Sequence, residues 1–431
     1  MSSPSNLELD SIAQHLFLFR PDSETRLTPL NHDASTEALL GILARSPITK
    51  DLAFAIVLHP RSDSPSASRP RVYLQNSDDN WDIGSAGKLS LPIAAYVLRR
   101  DVQTLVAAGL VNASTSPERL DALFRYVWRR HSSPSIRALA LDNQWPRPSR
   151  VLDWSGARVV LQGGLPKDAD AWLELDRRAG TKHISAGDFP RTSFTEFVLL
   201  TLQRSDNVAA RVCQGALGVG FADAVIEKLG LFLPLDPWQP WAEGSGLRVA
   251  GLYGAKSMPK LPRGWPEPKA VPTRKVRAFP PLIIPRHIAN PPERSFVGTA
   301  RSMGTLITAI MTDRFLDADS SAAFRGVLMA KFGFATLTHV MLAILHVDQS
   351  LRRDRGDTSF FYKIGAFAQS RCHFLHVKLT DSQSRTEQQY SVVVLGLSES
   401  IVKLGGDSWP PIEREEEILS RLHRSIVTDT P

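Results

Sequence analysis

GSAGKLSLPIAAYVL, residues 84–98, is the stretch from which the fold and the chemistry of this chain can be inferred. Its apolar residues recur at helical spacing from Leu89 to Leu98, so we expect a helix that Ser85 opens. Lys88 lies three positions after Ser85, which places both side chains on one helix face. A lysine there can take a proton from the serine hydroxyl once burial or a second cation lowers its pKa.

Two predicted strands precede this helix. LAFAIVLH at 52–59 and RVYLQ at 71–75 have strand composition, and RSDSPSASRP at 61–70 has the composition of a loop. The sequence therefore predicts a β-hairpin before Ser85, preceded in turn by a short helix at Thr36–Ala44.

Downstream, helical and extended patterns follow in blocks. The pattern from Asp101 to Phe221 is mainly helical, and Ser193 with Glu196 forms a capping box before FVLLTL. The segment 251–295 is rich in Pro, Lys and Arg and is predicted to be a long surface excursion. The remaining predicted elements are helices at Ser302–Met311, Ser320–Phe332 and Glu413–His423, and strands at Ser359–Ile364, His373–Thr380 and Tyr390–Leu397.

This order predicts an α+β fold in which an antiparallel sheet is flanked by helices and interrupted by a large, all-helical insertion. Residues 1–84 would supply a helix and two strands, and residues 341–431 the strands and helix that complete the sheet. Residues 85–340 would form the mainly helical domain, with insertions at 101–190 and 251–295.

Two later tripeptides join Ser85 and Lys88 as candidate site residues. Ser205-Asp206-Asn207 follows the capped helix, and Lys363-Ile364-Gly365 lies on a predicted strand of the C-terminal part. With Ser85-x-x-Lys88 they form the ordered set S-x-x-K, S-D-N and K-x-G, which resembles the motif set of serine β-lactamases and penicillin-binding proteins. The resemblance implies a β-lactamase/transpeptidase-like fold.

The resemblance also implies a role for each matched position. Ser85 would attack a carbonyl carbon with Lys88 as its base, while Ser205 would pass a proton to the leaving group. Asn207 would hold Lys88 and the substrate amide, and Lys363 would supply the second cation. The backbone N–H groups of Ser85 and Ala366 would form the oxyanion hole. Gly365 and Ile364 would contact the substrate.

A fourth match, Leu235-Asp236-Pro237-Trp238-Gln239-Pro240, is similar to the Ω-loop of class A β-lactamases. Gln239 stands where that family has its deacylating glutamate, and an amide cannot accept a proton from water. Glu243 could serve as the base instead, or it could be a solvated loop carboxylate. Ile364 replaces a Thr or Ser of the family, and Ser85 lies 120 positions before Ser205, about twice the family interval.

Each motif also has a purely structural interpretation. Ser85 could be a helix cap beside a surface Lys88, and the S-D-N tripeptide could be a plain turn between helices. Lys363 could be an edge-strand lysine.

Composition limits the other classes of function. The net charge of +7 and the lack of an aromatic-interleaved basic motif argue against nucleic-acid binding, and no apolar run has the length of a membrane span. The N-terminus shows no secretory signal, so a cytoplasmic location is expected. We expect no cofactor and no metal site. His373 and His376 would point to opposite faces of a predicted strand, and His339 and His346, which could share a helix face, have no carboxylate partner at metal-site spacing. Cys213 and Cys372 are predicted to be buried and unreactive.

The sequence thus predicts a β-lactamase-like serine hydrolase that forms an acyl-enzyme with a small-molecule or peptide-like amide or ester, β-lactams included. The first alternative is a penicillin-binding protein, acyl trap or slow esterase without efficient deacylation. The second is a non-catalytic ligand-binding module on the same fold. The oligomeric state does not follow from the sequence.

Overall fold

The structure is a computed structural model, and its description covers part of the chain. The described residues are 4–36, 52–60, 69–131, 145–156, 158–179, 184–231, 282–283, 297–330, 358–367, 370–380, 387–396, 418–424 and 426.

A five-stranded antiparallel sheet is built from both ends of the chain. Its strand order is β2-β1-β10-β9-β8, so the first hairpin lies beside the last three strands. These strands are β1 (Ala53–Leu58), β2 (Arg71–Gln75), β8 (Thr358–Phe367), β9 (Ser370–Thr380) and β10 (Glu387–Leu395). The predicted hairpin and all three predicted C-terminal strands are confirmed.

The two faces of this sheet are buried against different layers. Successive side chains alternate between faces, and those at Ala53, Phe374 and Val393 join the large core cluster that includes the helices. Those at Phe54, Leu375 and Val392 join a second cluster. That cluster includes Leu419, Leu422 and Ile426, and residues 418–424 are helical, as predicted for the C-terminal segment.

The helical layer comes mainly from the middle of the chain. Its helices, numbered in chain order, are α1 (Asn6–Ala13), α2 (Asp22–Thr25), α3 (Ser90–Ala107), α4 (Pro117–His131), α5 (Pro148–Val151), α6 (Ala169–Ala179), α7 (Phe194–Gln203), α8 (Asn207–Leu217), α9 (Val219–Leu229), α10 (Ala300–Met311) and α11 (Ala318–Leu328). One core cluster contains residues from Leu9 to Leu395, so it crosses both predicted domain boundaries, at 84 and at 340. The division into domains at these positions remains a prediction.

Helix boundaries follow local sequence. Ser193 caps α7: its hydroxyl accepts from the amide of Glu196 at 3.3 Å, and the Glu196 carboxylate accepts from the Ser193 amide at 2.7 Å. The predicted capping box is therefore confirmed. Pro92 lies in the first turn of α3, where its missing N–H breaks no helical hydrogen bond.

Five short strands were not predicted. They are β3 (Asn80–Asp82), β4 (Leu152–Asp153), β5 (Val160–Leu161), β6 (Leu282–Ile283) and β7 (Val297–Gly298). β3 pairs with β6 and β7 just before the SAGK tetrapeptide, so two residues of the predicted excursion 251–295 pair with the segment that leads into it. The rest of that excursion lies outside the described residues, and so do residues 37–44 of the predicted helix Thr36–Ala44.

The described part of the chain confirms the α+β class, with an antiparallel sheet flanked by helices. Within it, no single helix has both the length and the apolar character needed to cross a membrane, although the bent pair Asn207–Leu217 and Gly220–Leu229 passes that test on length and composition.

Candidate active site

Ser85 lies in a 3₁₀ helix, Gly84–Leu89, that connects β3 to α3 and is called the Ser85 turn below. The predicted helix is therefore present and begins beside Ser85 as a 3₁₀ helix, while the α-helical part, α3, begins at Ser90. A 3₁₀ helix brings residues i and i+3 into register, so Ser85 and Lys88 project from the same side. Ser85 is partly exposed, whereas Lys88 is fully buried.

The S-D-N tripeptide forms the turn between α7 and α8. Ser205 adopts a left-handed conformation with φ of 55°, which ends α7 and reverses the chain. Asp206 caps α8 by accepting from the amides of Val208 at 2.7 Å and Ala209 at 3.1 Å, and its second oxygen accepts from the amide of Ile184 at 2.7 Å. The tripeptide is therefore a helix-to-helix turn, and it is also the partner of Lys88.

Lys88 connects the Ser85 turn to this tripeptide. Its Nζ donates to the carbonyl oxygen of Ser205 at 2.5 Å and to Oδ1 of Asn207 at 2.5 Å, and it lies 3.3 Å from Oγ of Ser205. Burial lowers the pKa of Lys88 to about 7, although the nearby charge of Asp206 opposes the shift. A surface role for Lys88 does not fit these contacts.

Lys363 reaches the same tripeptide from the sheet. It lies on β8, 2% exposed, on the sheet face that joins the large core cluster. Its Nζ donates to Oγ of Ser205 at 2.8 Å and to the carbonyl oxygens of Thr201 at 3.3 Å and Leu202 at 3.2 Å. These carbonyls belong to the last turn of α7, where helical partners run out and the helix dipole favours a cation.

Two amines thus converge on one hydroxyl. Burial, and then the charge of Lys88, lower the pKa of Lys363 well below its ordinary value. Two ammonium groups in one buried site repel each other, so one of them loses its proton more readily than a solvated lysine does. If both lysines donate to Ser205, its two lone pairs are occupied and its own O–H proton is available to a third group.

Gly365 brings β8 against the Ser85 turn. A Cβ at this position would lie 1.9 Å from the carbonyl oxygen of Ile83, 2.4 Å from Sγ of Cys372 and 2.9 Å from the amide nitrogen of Ala86. Only glycine permits this approach of one backbone to another. The K-x-G strand and the turn that bears Ser85 are therefore in direct contact.

The other predicted site residues are placed as follows. Ala366 lies in β8 and pairs with Arg371. The side chain of Ile364 packs against the second core cluster, on the sheet face opposite to Lys363. Gln239 and Glu243 lie outside the described residues.

The described histidines and cysteines that the sequence analysis considered are hydrogen-bonded to neighbouring side chains or buried in the core. Tyr362 and His373 share a hydrogen bond of 2.7 Å, and His376 shares one of 2.9 Å with Ser391. No cluster of three metal-ligating side chains occurs among the described residues, and His339 and His346 are not among them. Cys213 and Cys372 are buried, as predicted, and neither forms a disulfide.

Sequence reasoning missed two contributors to this site. The terminal carbonyls of α7 give no signal, because every residue has a carbonyl. The capping role of Asp206 does have a signal in its residue type, since Asp is a preferred helix N-cap.

Overall comparison with known proteins gives weak structural similarity. No family model matches the sequence, and no curated protein matches it. The chain is similar to a β-lactamase from Sphaerobacter thermophilus (TM-score 0.41, 11% identity, 91% of this chain and 96% of that one covered). It is also similar to a β-lactamase from Burkholderia vietnamiensis (TM-score 0.40, 11% identity, 92% and 97% covered). A third similar structure is a point mutant of PBP-A in an acyl-enzyme complex with penicillin G (TM-score 0.35, 13% identity, 93% and 97% covered). Similarities of this extent carry no argument about chemistry.

Proposed function

We propose that the protein is a serine hydrolase that forms an acyl-enzyme through Ser85. The observation behind the proposal is a hydrogen-bonded cluster at the Ser85 turn, in which the buried amines of Lys88 and Lys363 donate to the partly exposed Ser205 and Lys88 also donates to Asn207. Burying two amines is expensive unless they are partnered or neutralised. An amine with a pKa of about 7 is half neutral at physiological pH, as a general base must be.

Acylation would proceed through a cycle of proton transfers that returns Lys88 to its neutral form. As Oγ of Ser85 bonds to the carbonyl carbon, neutral Lys88 takes the hydroxyl proton. The oxyanion would be held by the N–H groups of Ser85 and Ala366, the positions that the motif resemblance indicates. When the bond to the leaving group breaks, Ser205 gives that group its proton and takes the proton of Lys88 in exchange. Lys88 is neutral again at the end of the step.

The first experiment is mass spectrometry of the intact protein after incubation with a penicillin and, separately, with an activated ester. We expect a mass increase equal to the acyl group, mapped to Ser85 by peptide digestion and absent in Ser85→Ala. Ser90→Ala is the matched control, because Ser90 lies beside the same turn and donates to the carbonyl of Gly87 at 2.6 Å. Labelling of Ser85→Ala at an unchanged level, or no adduct with either probe, would refute the proposal.

A second candidate is an acyl trap, and Gln239 is the feature that favours it. Without a carboxylate to activate water, the acyl-enzyme would persist. A stable adduct in the wild type that is cleared in Gln239→Glu would favour the trap. Rapid turnover that disappears in Glu243→Gln would favour hydrolysis with Glu243 as the base.

A further inference from the structure

Gly365 and Cys372 face each other across β8 and β9. They are partners in the antiparallel register and lie on the sheet face that carries the Ser85 turn. Because Gly365 has no side chain, the carbonyl of Ile83 enters the space beside it. This carbonyl belongs to the residue two positions before Ser85.

The thiol of Cys372 is directed at that carbonyl. Sγ donates to the carbonyl oxygen of Ile83 at 3.0 Å, and it lies 3.5 Å from the carbonyl oxygen of Gly365. The amide of Ala86 donates to the same Ile83 oxygen at 3.0 Å, across the backbone of Ser85. The carbonyl of Ile83 therefore has two donors, one from the turn itself and one from the sheet.

The backbone changes direction at this point. Ile83 adopts φ of −96° and ψ of 0°, a sparsely populated conformation, and Gly84 has a positive φ of 48°. These two residues set the direction in which the chain enters the Ser85 turn. A bond from β9 to the carbonyl between them fixes that direction relative to the strand that bears Lys363.

We propose that Cys372 is a positioning residue that, together with Gly365, holds the Ser85 turn against β8. The thiol acts through the carbonyl of Ile83 and touches no reacting atom. Its effect on chemistry rests on the proposed function of Ser85. Its effect on the turn does not depend on that function.

The test compares three single variants of the full chain. Cys372→Ala removes the donor, Cys372→Ser keeps a donor, and Cys213→Ala removes the other buried thiol, which lies in α8. Hydrogen–deuterium exchange of a peptide covering residues 83–89 reports on the turn. Acylation by an activated ester, resolved into a binding constant and a first-order rate, reports on Ser85.

We expect Cys372→Ala to raise exchange in this peptide about fivefold and to slow the first-order acylation rate about tenfold to 100-fold with little change in binding. Cys372→Ser should restore both, and Cys213→Ala should alter neither. Unchanged exchange in Cys372→Ala, or raised exchange with an unchanged acylation rate, would overturn the proposal. If the wild type accepts no acyl group, the proposed function fails, while the exchange data still decide whether the thiol holds the turn.

Discussion

Two serine hydroxyls of this protein each lie between a pair of nitrogen bases. Ser205 lies between the amines of Lys88 and Lys363. Ser391 lies between Nε2 of His59 and Nδ1 of His376, each at 2.9 Å. The rings of these histidines are in edge contact, with centroids 5.5 Å apart.

Burial lowers the pKa in both pairs, but only the lysine pair gains a group that titrates near neutral pH. Burial brings the pKa of Lys88 down to about 7, into the range where an amine exchanges protons at neutral pH. The same effect takes the pKa of His59 to about 4 and that of His376 well below its ordinary value. The histidines are therefore neutral at pH 7 and cannot alternate between charge states.

The pairs also differ in their neighbours. Beside the lysines, β8 carries Gly365, and the Ser85 turn lies against it. Beside the histidines, the corresponding position of β8 is Phe361, a buried side chain that pairs with His376. A hydroxyl between two bases thus becomes a candidate for catalysis only where the pKa is suitable and a second hydroxyl can be reached.

The largest expected effect is that of Lys88→Met on acylation. Loss of the base should reduce the acylation rate of Ser85 by about 10³-fold, within the range of general-base contributions. In the wild type the rate should rise with pH through about 7, because the neutral amine is the active form. Stopped-flow acylation across pH 5–9 measures both.

The matched change at the other pair is His376→Leu, which should leave the acylation rate and its pH profile unaltered. Equal losses of rate in both variants would mean that the two pairs do not differ in function.

The second effect concerns the close contact between β8 and the Ser85 turn. Gly365→Ala would place a Cβ 1.9 Å from the carbonyl oxygen of Ile83, so either β8 or the Ser85 turn must move. We expect a loss of more than about 3 kcal/mol in the free energy of unfolding, measured by urea denaturation, since backbone atoms cannot yield as a flexible side chain does.

Gly326→Ala is the control, because the nearest atom to its Cβ is 3.9 Å away and alanine favours the interior of α11. It should stabilise the protein by about 0.5–1 kcal/mol. If Gly365→Ala proves as harmless as the control, the close contact of strand and turn is wrong.

Local rules were sufficient for much of this architecture. The short apolar run at 52–59 and the capping residues at Ser193 and Glu196 act within a few positions, so the hairpin and α7 could be predicted. That Lys88, Ser205 and Lys363 come together could also be predicted, because the three motifs occur in the order of a known motif set. Their catalytic roles stay predictions.

Contacts between distant segments could not be predicted in the same way. β3 joins β6 and β7 through two residue pairs each, too few to leave a pattern in the sequence. Cys372 meets Ile83 across 289 positions, and only the register of β9 against β8 brings its thiol there. The same register decides on which face of the sheet the side chain of Ile364 lies, because a shift of one residue moves each side chain to the opposite face.

The third effect is acid sensitivity at the histidine pair. The pKa of His59 is lower in the folded chain than its ordinary value of 6.5, so the unfolded chain binds more protons between pH 6.5 and about 4. The contribution of His59 is fully present above pH 6.5 and is lost as the pH falls through this window, by at most about 3 kcal/mol.

Urea denaturation at pH 7 and pH 4.5 should show a smaller loss in His59→Gln than in the wild type. His15→Gln, which alters a partly exposed histidine near the N-terminus, is the control and should follow the wild type. An identical loss in His59→Gln would exclude His59 as a source of the acid sensitivity.

The smallest effect concerns the two hydroxyls themselves. Ser391→Ala removes the hydrogen-bond partner of one ring nitrogen in each of His59 and His376, which should lower the free energy of unfolding by about 1–2 kcal/mol and leave acylation unaltered.

Ser205→Ala should instead affect acylation more than stability. The carbonyls of Thr201 and Leu202 still hold Lys363, while the proton route to the leaving group is broken. We expect its acylation rate to fall about 10-fold to 100-fold with an ester whose leaving group needs a proton, and much less with a nitrophenolate leaving group, which departs without one. Equal loss with both esters would mean that Ser205 positions Lys88 and Lys363 and does not transfer the proton.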